Sequence, residues 1–324
     1  MGDQHSTVSV EETAAKIQAA AAVTVLCHVH PDADTMGSAL ALAIALHRAG
    51  TPVQVSFPEP HELPRSLELL PRRDLVVPPA ALPDAAELLV VVDCSSADRL
   101  AGLSGQIAAS DTTLVIDHHR TNTFFGDLHY VDADAQSTTV LITRVLDALG
   151  VEIDADIATC LYAGLVTDTG GLRWANPESL LLAARLLGTG INGAELLRGL
   201  MDTHPFAWLP MLGAVLGRAE LEPAAACGLG LVHTVVLHTD VAGVAWEEIE
   251  SVVDIVRTSA EAEVAVVLKE QGEQRWTVSM RSKGLINVAE VALKLGGGGH
   301  AAAAGYSATG TRDDVLAALR SVLG

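Results

Sequence analysis

The chain has 324 residues, 49% of them hydrophobic but only 3% aromatic, and sets 20 basic against 40 acidic side chains for a formal net charge of -20. That length accommodates two domains with aliphatic cores, and the acidic balance excludes the basic track with which proteins neutralise long nucleic acid. The four cysteines, Cys27, Cys94, Cys160 and Cys227, form no CxxC pair, so a reducing cytoplasm is expected rather than a disulfide framework or a zinc knuckle.

Taken in chain order, the opening residues carry no basic stretch leading into an apolar run, so no signal peptide is expected. No apolar run reaches the roughly 20 residues of a membrane span, and no membrane partner is expected. His5 falls in a terminal segment expected to be mobile. Ser9 with Glu12 three places on is a capping-box pattern and predicts a helix over 9–22. "VTVLCH" (23–28) predicts a strand that ends at His28. Helical spacing over 35–49 stops at Gly50, and "PVQVSF" (52–57) predicts a second strand. The proline-rich stretch 58–83 predicts loop and short helix.

"ELLVVVDCSS" (87–96) and "TTLVIDHH" (112–119) are unbroken apolar strands that end in Asp93 and in Asp117, His118 and His119. Helices are predicted over 137–149, 154–165, 177–190 and 192–219, with Asp168 in a glycine-flanked loop after the second. A strand-rich region follows, with "CGLGLVHTVV" (227–236), "EVAVVLKE" (263–270) and "RWTVSMRS" (275–282). "GGGGHAAAAGY" (296–306) and a last helix close the chain. Apolar strands interleaved with helices predict an α/β fold whose first sheet is parallel and covered on both faces. The predicted domains are 1–190 (catalytic) and 221–324 (substrate-binding), joined by a helical linker at 191–220.

In open parallel sheets ligands bind beyond the carboxyl ends of strands. Three strands here end in histidine or aspartate, so those groups converge on one edge. Carboxylates mixed with imidazoles favour Mn²⁺ over Mg²⁺. Two such ions about 3.5–4 Å apart would suit phosphate ester hydrolysis by an activated water. Each of these side chains alone reads as a cap or a solvated loop residue; it is the four segments together that point to metal. His30 reads as packing or support, His233 and His238 as core or surface. Asp111, Asp132 and Asp134 read as surface, and Arg120 and Arg173 serve equally as substrate contacts or salt bridges.

"HVHPDAD" (28–34), "VVVDCSS" (90–96), "IDHHRTN" (116–122) and "AGLVTDTGGLRW" (163–174), in this order, resemble the motifs of the DHH phosphoesterase superfamily. "GGGGHAAAAGY" resembles the signature of its DHH-associated second domain. Length and domain pairing are most similar to the oligoribonuclease/adenosine 3′,5′-bisphosphate phosphatase branch.

The resemblance implies two α/β domains, the second the smaller, with a cleft between them. It implies two Mn²⁺, with Mg²⁺ or Co²⁺ as substitutes. One ion would be held by His28, Asp32 and Asp93, the other by Asp34, Asp93, His118 and Asp168, with Asp93 bridging. Asp117 would orient the histidine pair. His119 would face the substrate phosphate and stabilise charge or protonate the leaving oxygen. Arg281, Ser282 and His300 would contact substrate, and Gly297, Gly298 and Gly299 would bring bare backbone N–H groups to a phosphate.

The implied substrates are oligoribonucleotides of about two to five residues, linear or cyclic di-adenylate and adenosine 3′,5′-bisphosphate. A homodimer is compatible with the resemblance, though no residue marks it. Family members often place a basic residue shortly after the glycine-box histidine; here that stretch is Ala301–Ala304, so the grip on a terminal phosphate is unassigned. Three alternatives are a single-strand-specific exonuclease, an inorganic pyrophosphatase and a non-catalytic nucleotide sensor.

Overall fold

A computed structural model describes residues 6–324; His5 lies outside them. The chain divides into two compact units, one ending at Thr203 and one running from His204 to Gly324. The stretch 191–220 contributes one helix to each unit.

Among the described residues, the first unit holds six strands: β1 (Ser6–Thr7), β2 (Val23–Leu26), β3 (Val53–Ser56), β4 (Leu88–Val92), β5 (Thr113–Asp117) and β6 (Leu128–Val131). Its seven α-helices are α1 (Val10–Ala19), α2 (Ala33–Arg48), α3 (Gly105–Ala109), α4 (Thr138–Ala148), α5 (Ala155–Asp168), α6 (Pro177–Leu187) and α7 (Gly193–Met201). The strands form one sheet in the order β1-β6-β5-β4-β2-β3, parallel throughout. Val90, Val92 and Ile116 belong to the core shared with α2, α4 and α5, whereas Leu89, Val91 and Val115 pack with Leu100 and Leu103 on the other face. Both faces are therefore covered, which is why the strands read as unbroken apolar runs.

The chain steps from β2 outward to β3, then returns to the other side of β2 for β4. That reversal opens a crevice beyond the ends of β2 and β4, where His28 and Asp93 lie.

Glu12 and Ser9 exchange both capping-box bonds at the start of α1. At α2 the cap is Asp32, whose Oδ1 accepts from the backbone N–H of Asp34 and Thr35, both at 3.0 Å. From Ala33 to Leu46 every residue of α2 is buried, because the helix runs between the sheet and α5. The two helices cross at glycines. A Cβ on Gly37 would stand 2.3 Å from the Cys160 carbonyl oxygen, and one on Gly164 would stand 2.7 Å from Asp34 Cα.

The second unit adds β7 (Glu220–Glu222), β8 (Leu231–Val236), β9 (Val264–Gly272), β10 (Arg275–Ser282), β11 (Gly298–His300) and β12 (Ala303–Thr309). Its helices are α8 (Trp208–Leu216), α9 (Trp246–Glu250), α10 (Val252–Val256), α11 (Val288–Lys294) and α12 (Arg312–Leu323). The strands form a mixed sheet, β11-β12-β10-β9-β8-β7, parallel only between β8 and β9. One face packs on α11 and α12 through Val266, Val278 and Leu319. The other packs on α8, α9 and α10 through Val215, Val253 and Val267.

The reading of the chain expected neither β6 nor the β11–β12 hairpin. The hairpin is built from glycine and alanine, which carry little strand preference. Gly297 and Gly299 are required by close backbone approach, since a Cβ would meet the Gly305 carbonyl oxygen at 2.1 Å and the Ala303 carbonyl oxygen at 2.6 Å. Among the described residues, no helix is long and apolar enough to cross a membrane.

Candidate active site

Asp93 follows β4 directly, with its backbone at φ 55°, a left-handed conformation that few side chains other than aspartate and asparagine tolerate. The turn aims the carboxylate back over the sheet edge. Its two oxygens face two different histidines: Asp93 Oδ2 lies 3.5 Å from His28 Nε2, and Asp93 Oδ1 lies 3.5 Å from His118 Nε2. His28 Nε2 is also 3.6 Å from Asp32 Oδ2. His118 Nε2 is also 3.7 Å from Asp34 Oδ2 and 3.3 Å from Asp168 Oδ2. Two groups of donors result, His28–Asp32–Asp93 and Asp34–Asp93–His118, each with its atoms within 4.8 Å of one another. Asp168 joins the second through His118, and Asp93 belongs to both.

Each histidine is turned by its other nitrogen. His28 Nδ1 lies 2.9 Å from the Val29 carbonyl oxygen, and His118 Nδ1 lies 3.2 Å from the Ala135 carbonyl oxygen. A proton on each Nδ1 serves those bonds, so loss of the Nε2 proton would turn that nitrogen into a ligand for a cation shared with the carboxylates. His28 Nε2 is buried and has no hydrogen-bond partner. Separations of 3.3–3.7 Å are too long for good hydrogen bonds, but they suit two ligands each about 2.1 Å from a shared ion. The donor set therefore fits divalent cations.

The surrounding contacts hold the carboxylates in place. Asp34 accepts from the Thr138 N–H at 2.6 Å and the Thr139 N–H at 3.0 Å, the first amides of α4, where a helix start favours a negative group. Thr138 Oγ1 donates to Asp93 Oδ1 at 3.0 Å. Asp117, fully buried, accepts from the His118 N–H and faces His119 Nδ1 at 2.8 Å; Asn122 donates to its other oxygen at 2.6 Å. Thr138, Thr139 and Asn122 were not anticipated. The only signal was a Ser-Thr-Thr run entering a helix.

Asp168 is not in a loop, as expected, but is the last residue of α5. The helix runs three residues past its last leucine, and there the hydroxyls of Thr167 and Thr169 bond back to carbonyls of the preceding turn. Gly170, Gly171 and Leu172 then all take positive φ. This reversal brings the Trp174 indole N–H to the Asp168 carbonyl at 2.9 Å.

The charges of the cluster are balanced by protons. Burial opposes ionisation of Asp93, yet the adjoining His118 and His28 outweigh it and hold its carboxyl well below the usual range. Burial and the charge of Asp93 push Asp34 up to about 7, and burial followed by Asp34 pushes Asp168 up. Burial and Arg99 press His28 down, but Asp32 and Asp93 outweigh them and raise it to about 9. His118 is raised well above its ordinary value against its burial, chiefly by Asp93.

A pH dependence follows for the metal-free protein. His28 contributes stability in full below its unfolded value of 6.5, and loses it as pH rises through about 9. Asp34 keeps a proton to about pH 7 that the unfolded chain has released, so it too loses stability as pH rises. Asp93 acts in the opposite sense, but only in acid. Melting temperatures in chelator should therefore fall from about pH 6 to about pH 9, and Mn²⁺ titrated into weak buffer should release protons. A melting temperature that climbs over this interval would contradict the assignment.

In the second unit, Arg281 and Ser282 end β10, while Gly298 and His300 lie in β11. Arg281 Nε donates to Asp254 at 3.3 Å, and Ser282 Oγ donates to Glu263 at 2.8 Å. His233 is buried, with Nε2 2.7 Å from Glu222, and Arg120 pairs with exposed Asp134.

Both units have counterparts among known proteins. Residues 22–165 match the DHH family, N-terminal domain, and residues 233–324 match the DHHA1 domain. The bifunctional oligoribonuclease and PAP phosphatase NrnA of Thermus thermophilus is 36% identical, over 93% of this chain and 90% of its own. The cyclic-di-AMP phosphodiesterase GdpP of Geobacillus thermodenitrificans is 26% identical over 86% of this chain, but only 43% of its own. A crystal structure of an exopolyphosphatase-related protein from Bacteroides fragilis superposes with a TM-score of 0.85 at 23% identity, covering 99% of this chain and 96% of that one. Both domain matches, the full-length relative and the shared fold lead to one assignment: the chain belongs to the DHH phosphoesterase family, with a DHHA1 domain as its second unit.

Proposed function

We propose that the protein hydrolyses phosphate esters of very short nucleotides with the help of two Mn²⁺ ions. The substrates in view are oligoribonucleotides of a few residues, linear or cyclic di-adenylate and adenosine 3′,5′-bisphosphate. The observation that carries the reading is the division of Asp93, whose two oxygens each face a separate histidine at 3.5 Å. A carboxylate shared by two donor groups is what a two-cation phosphoesterase needs. The named activity of the Thermus relative supports the substrate class, as does the acidic composition, which offers no track for a long polyanion.

When bound, a pair of divalent cations supplies Lewis-acid neutralisation of phosphoryl charge and a lowered pKa for attacking water. His28, Asp32 and Asp93 would hold one cation, and Asp34, Asp93, His118 and Asp168 the other. Asp93 keeps the two donor groups in register, and the amides of Thr138 and Thr139 fix Asp34. His119 is oriented through Nδ1 by Asp117, and at the substrate phosphate it would stabilise developing charge or donate a proton to the departing ester oxygen. In the second unit, Arg281 and His300 contact the substrate, with Ser282 and Gly297–Gly299 beside them.

The test is a hydrolysis panel with Mn²⁺, followed by product analysis. It contains adenosine 3′,5′-bisphosphate, linear and cyclic di-adenylate, a 3-mer and a 30-mer RNA. Rapid turnover of the small substrates and little of the 30-mer is expected. Preference for the 30-mer would replace this reading with an exonuclease, and binding without product would replace it with a sensor.

A further inference from the structure

Aromatic side chains are scarce in this chain, at 3% of its residues, yet one tryptophan stands at the rim of the donor cluster. Trp174 lies in the segment between α5 and α6. Its indole N–H donates to the Asp168 carbonyl at 2.9 Å, and the carboxylate of the same Asp168 lies 3.3 Å from His118 Nε2. The ring is therefore one residue removed from the second donor group, on the side where Asp168 is 25% exposed.

The ring is seated rather than loose. A Cβ on Gly170 would stand 2.1 Å from Trp174 Cη2 and 2.5 Å from both Cζ2 and Cζ3. Three adjacent ring atoms so close to one point put that point over the face of the ring, not beyond its edge. One face of the indole thus lies on the bare backbone of Gly170. The segment is also braced from the entry to α4. Gln136 Nε2 donates to the Trp174 carbonyl at 2.8 Å, and Gln136 Oε1 accepts from the Asn176 N–H at 2.5 Å. Gln136 stands two residues before Thr138, which itself holds Asp34 and Asp93. With one face covered and the N–H engaged, Trp174 is still 46% exposed. That exposure falls on the opposite face and the outer edge.

We propose that Trp174 is the base-stacking residue of this site, its outward indole face receiving a nucleobase of the substrate while the ester phosphate lies at the donor cluster. Every base presents a π face, so an aromatic platform grips the base without reading its hydrogen-bonding edge. A ring already held by its N–H, its lower face and its backbone loses little freedom when a ligand settles on it. Stacking strength alone then sets the preference, and the larger purines are favoured over pyrimidines. The inference rests on the short-nucleotide reading of the protein and adds how the base is held.

The experiment compares kcat/KM of the Mn²⁺-loaded protein for adenosine 3′,5′-bisphosphate and for the same bisphosphate with hydrogen in place of the base. The variants are Trp174→Phe and Trp174→Leu. Both lose the indole N–H and its bond to Asp168, and both keep an apolar group at this position, but only phenylalanine keeps an aromatic face. Wild type should favour the nucleotide roughly tenfold or more, as stacking of one base allows. Trp174→Phe should retain most of that preference and Trp174→Leu should lose most of it. Calorimetric titration of Mn²⁺ into the two substrate-free variants should give matching affinities, since both lack the same bond to Asp168. A preference kept in Trp174→Leu, one lost equally in both variants, or none in wild type overturns the assignment. So does a Trp174→Leu protein that binds Mn²⁺ more weakly than Trp174→Phe, which would make the ring a prop for Asp168. If wild type cleaves neither compound, the short-nucleotide reading fails, and the role of Trp174 with it.

Discussion

Asp93→Asn should lower the turnover of adenosine 3′,5′-bisphosphate at saturating Mn²⁺ on the order of 10³-fold or more, because one change weakens both donor groups. The fold should be untouched. Asparagine accepts the left-handed backbone at this position, and its side-chain oxygen can keep the bond from Thr138 Oγ1. Removing the charge does cost the buried interactions by which His118 and His28 hold the Asp93 carboxyl well below its usual range. The metal-free variant should therefore melt lower than wild type, and it should also lose most of the rise that Mn²⁺ gives wild type. Steady-state rates and melting curves with and without Mn²⁺ measure both halves. Wild-type rates would remove Asp93 from the shared position. A collapsed fold would leave the rate loss uninformative, in which case Asp93→Glu, which keeps the charge and shifts it by one methylene, takes its place.

Gly164→Ala should destabilise the protein by about 2 kcal/mol or more, in spite of alanine's advantage of about 1 kcal/mol in a helix. The new methyl group would stand 2.6 Å from Asp34 Oδ1 and 2.7 Å from Asp34 Cα. It meets backbone as well as side chain, so the crossing of α2 and α5 must widen. The widening moves Asp34 at the start of α2 away from Asp168 at the end of α5, and Mn²⁺ affinity should fall with stability. Gly37→Ala, facing the Cys160 carbonyl oxygen at 2.3 Å, should act alike. Gly213→Ala in α8 meets nothing within 4 Å and should be neutral or stabilising. Urea denaturation of the three variants decides the matter, and a Gly164→Ala protein as stable as wild type would mean that the helices do not touch there.

The parallel sheet was legible because burial on both faces leaves strands with no polar alternation, as in Leu88–Val92. The donors were legible because they cluster at strand ends, where the topology needs no side chain for packing. What escaped is what depends on the third dimension. Thr138 and Thr139 hold Asp34 through backbone amides, which any residue but proline possesses, and the Thr138 hydroxyl adds a single hydrogen bond to Asp93. Asn122 acts through one hydrogen bond to a buried carboxylate. The strand β12 escaped because Ala303, Ala304 and Gly305 carry no strand signal of their own and are held by their partners in β10. Asp168 was misplaced because α5 runs on past its last leucine through Thr167 and Asp168, polar residues that carry no apolar spacing to follow.

Solvent has unequal access to the six donor side chains. Asp32 is 57% exposed and Asp168 25%, whereas His28, Asp34, Asp93 and His118 are at most 5% exposed. Four of the six are thus walled in by the sheet edge and by α2, which has no exposed side until its last residues. Cations held there would exchange with solvent past these two aspartates, one in each donor group and each at a helix terminus. The groups that meet water would be the ones to let go first, and the inner four would keep their arrangement while a cation left or was replaced.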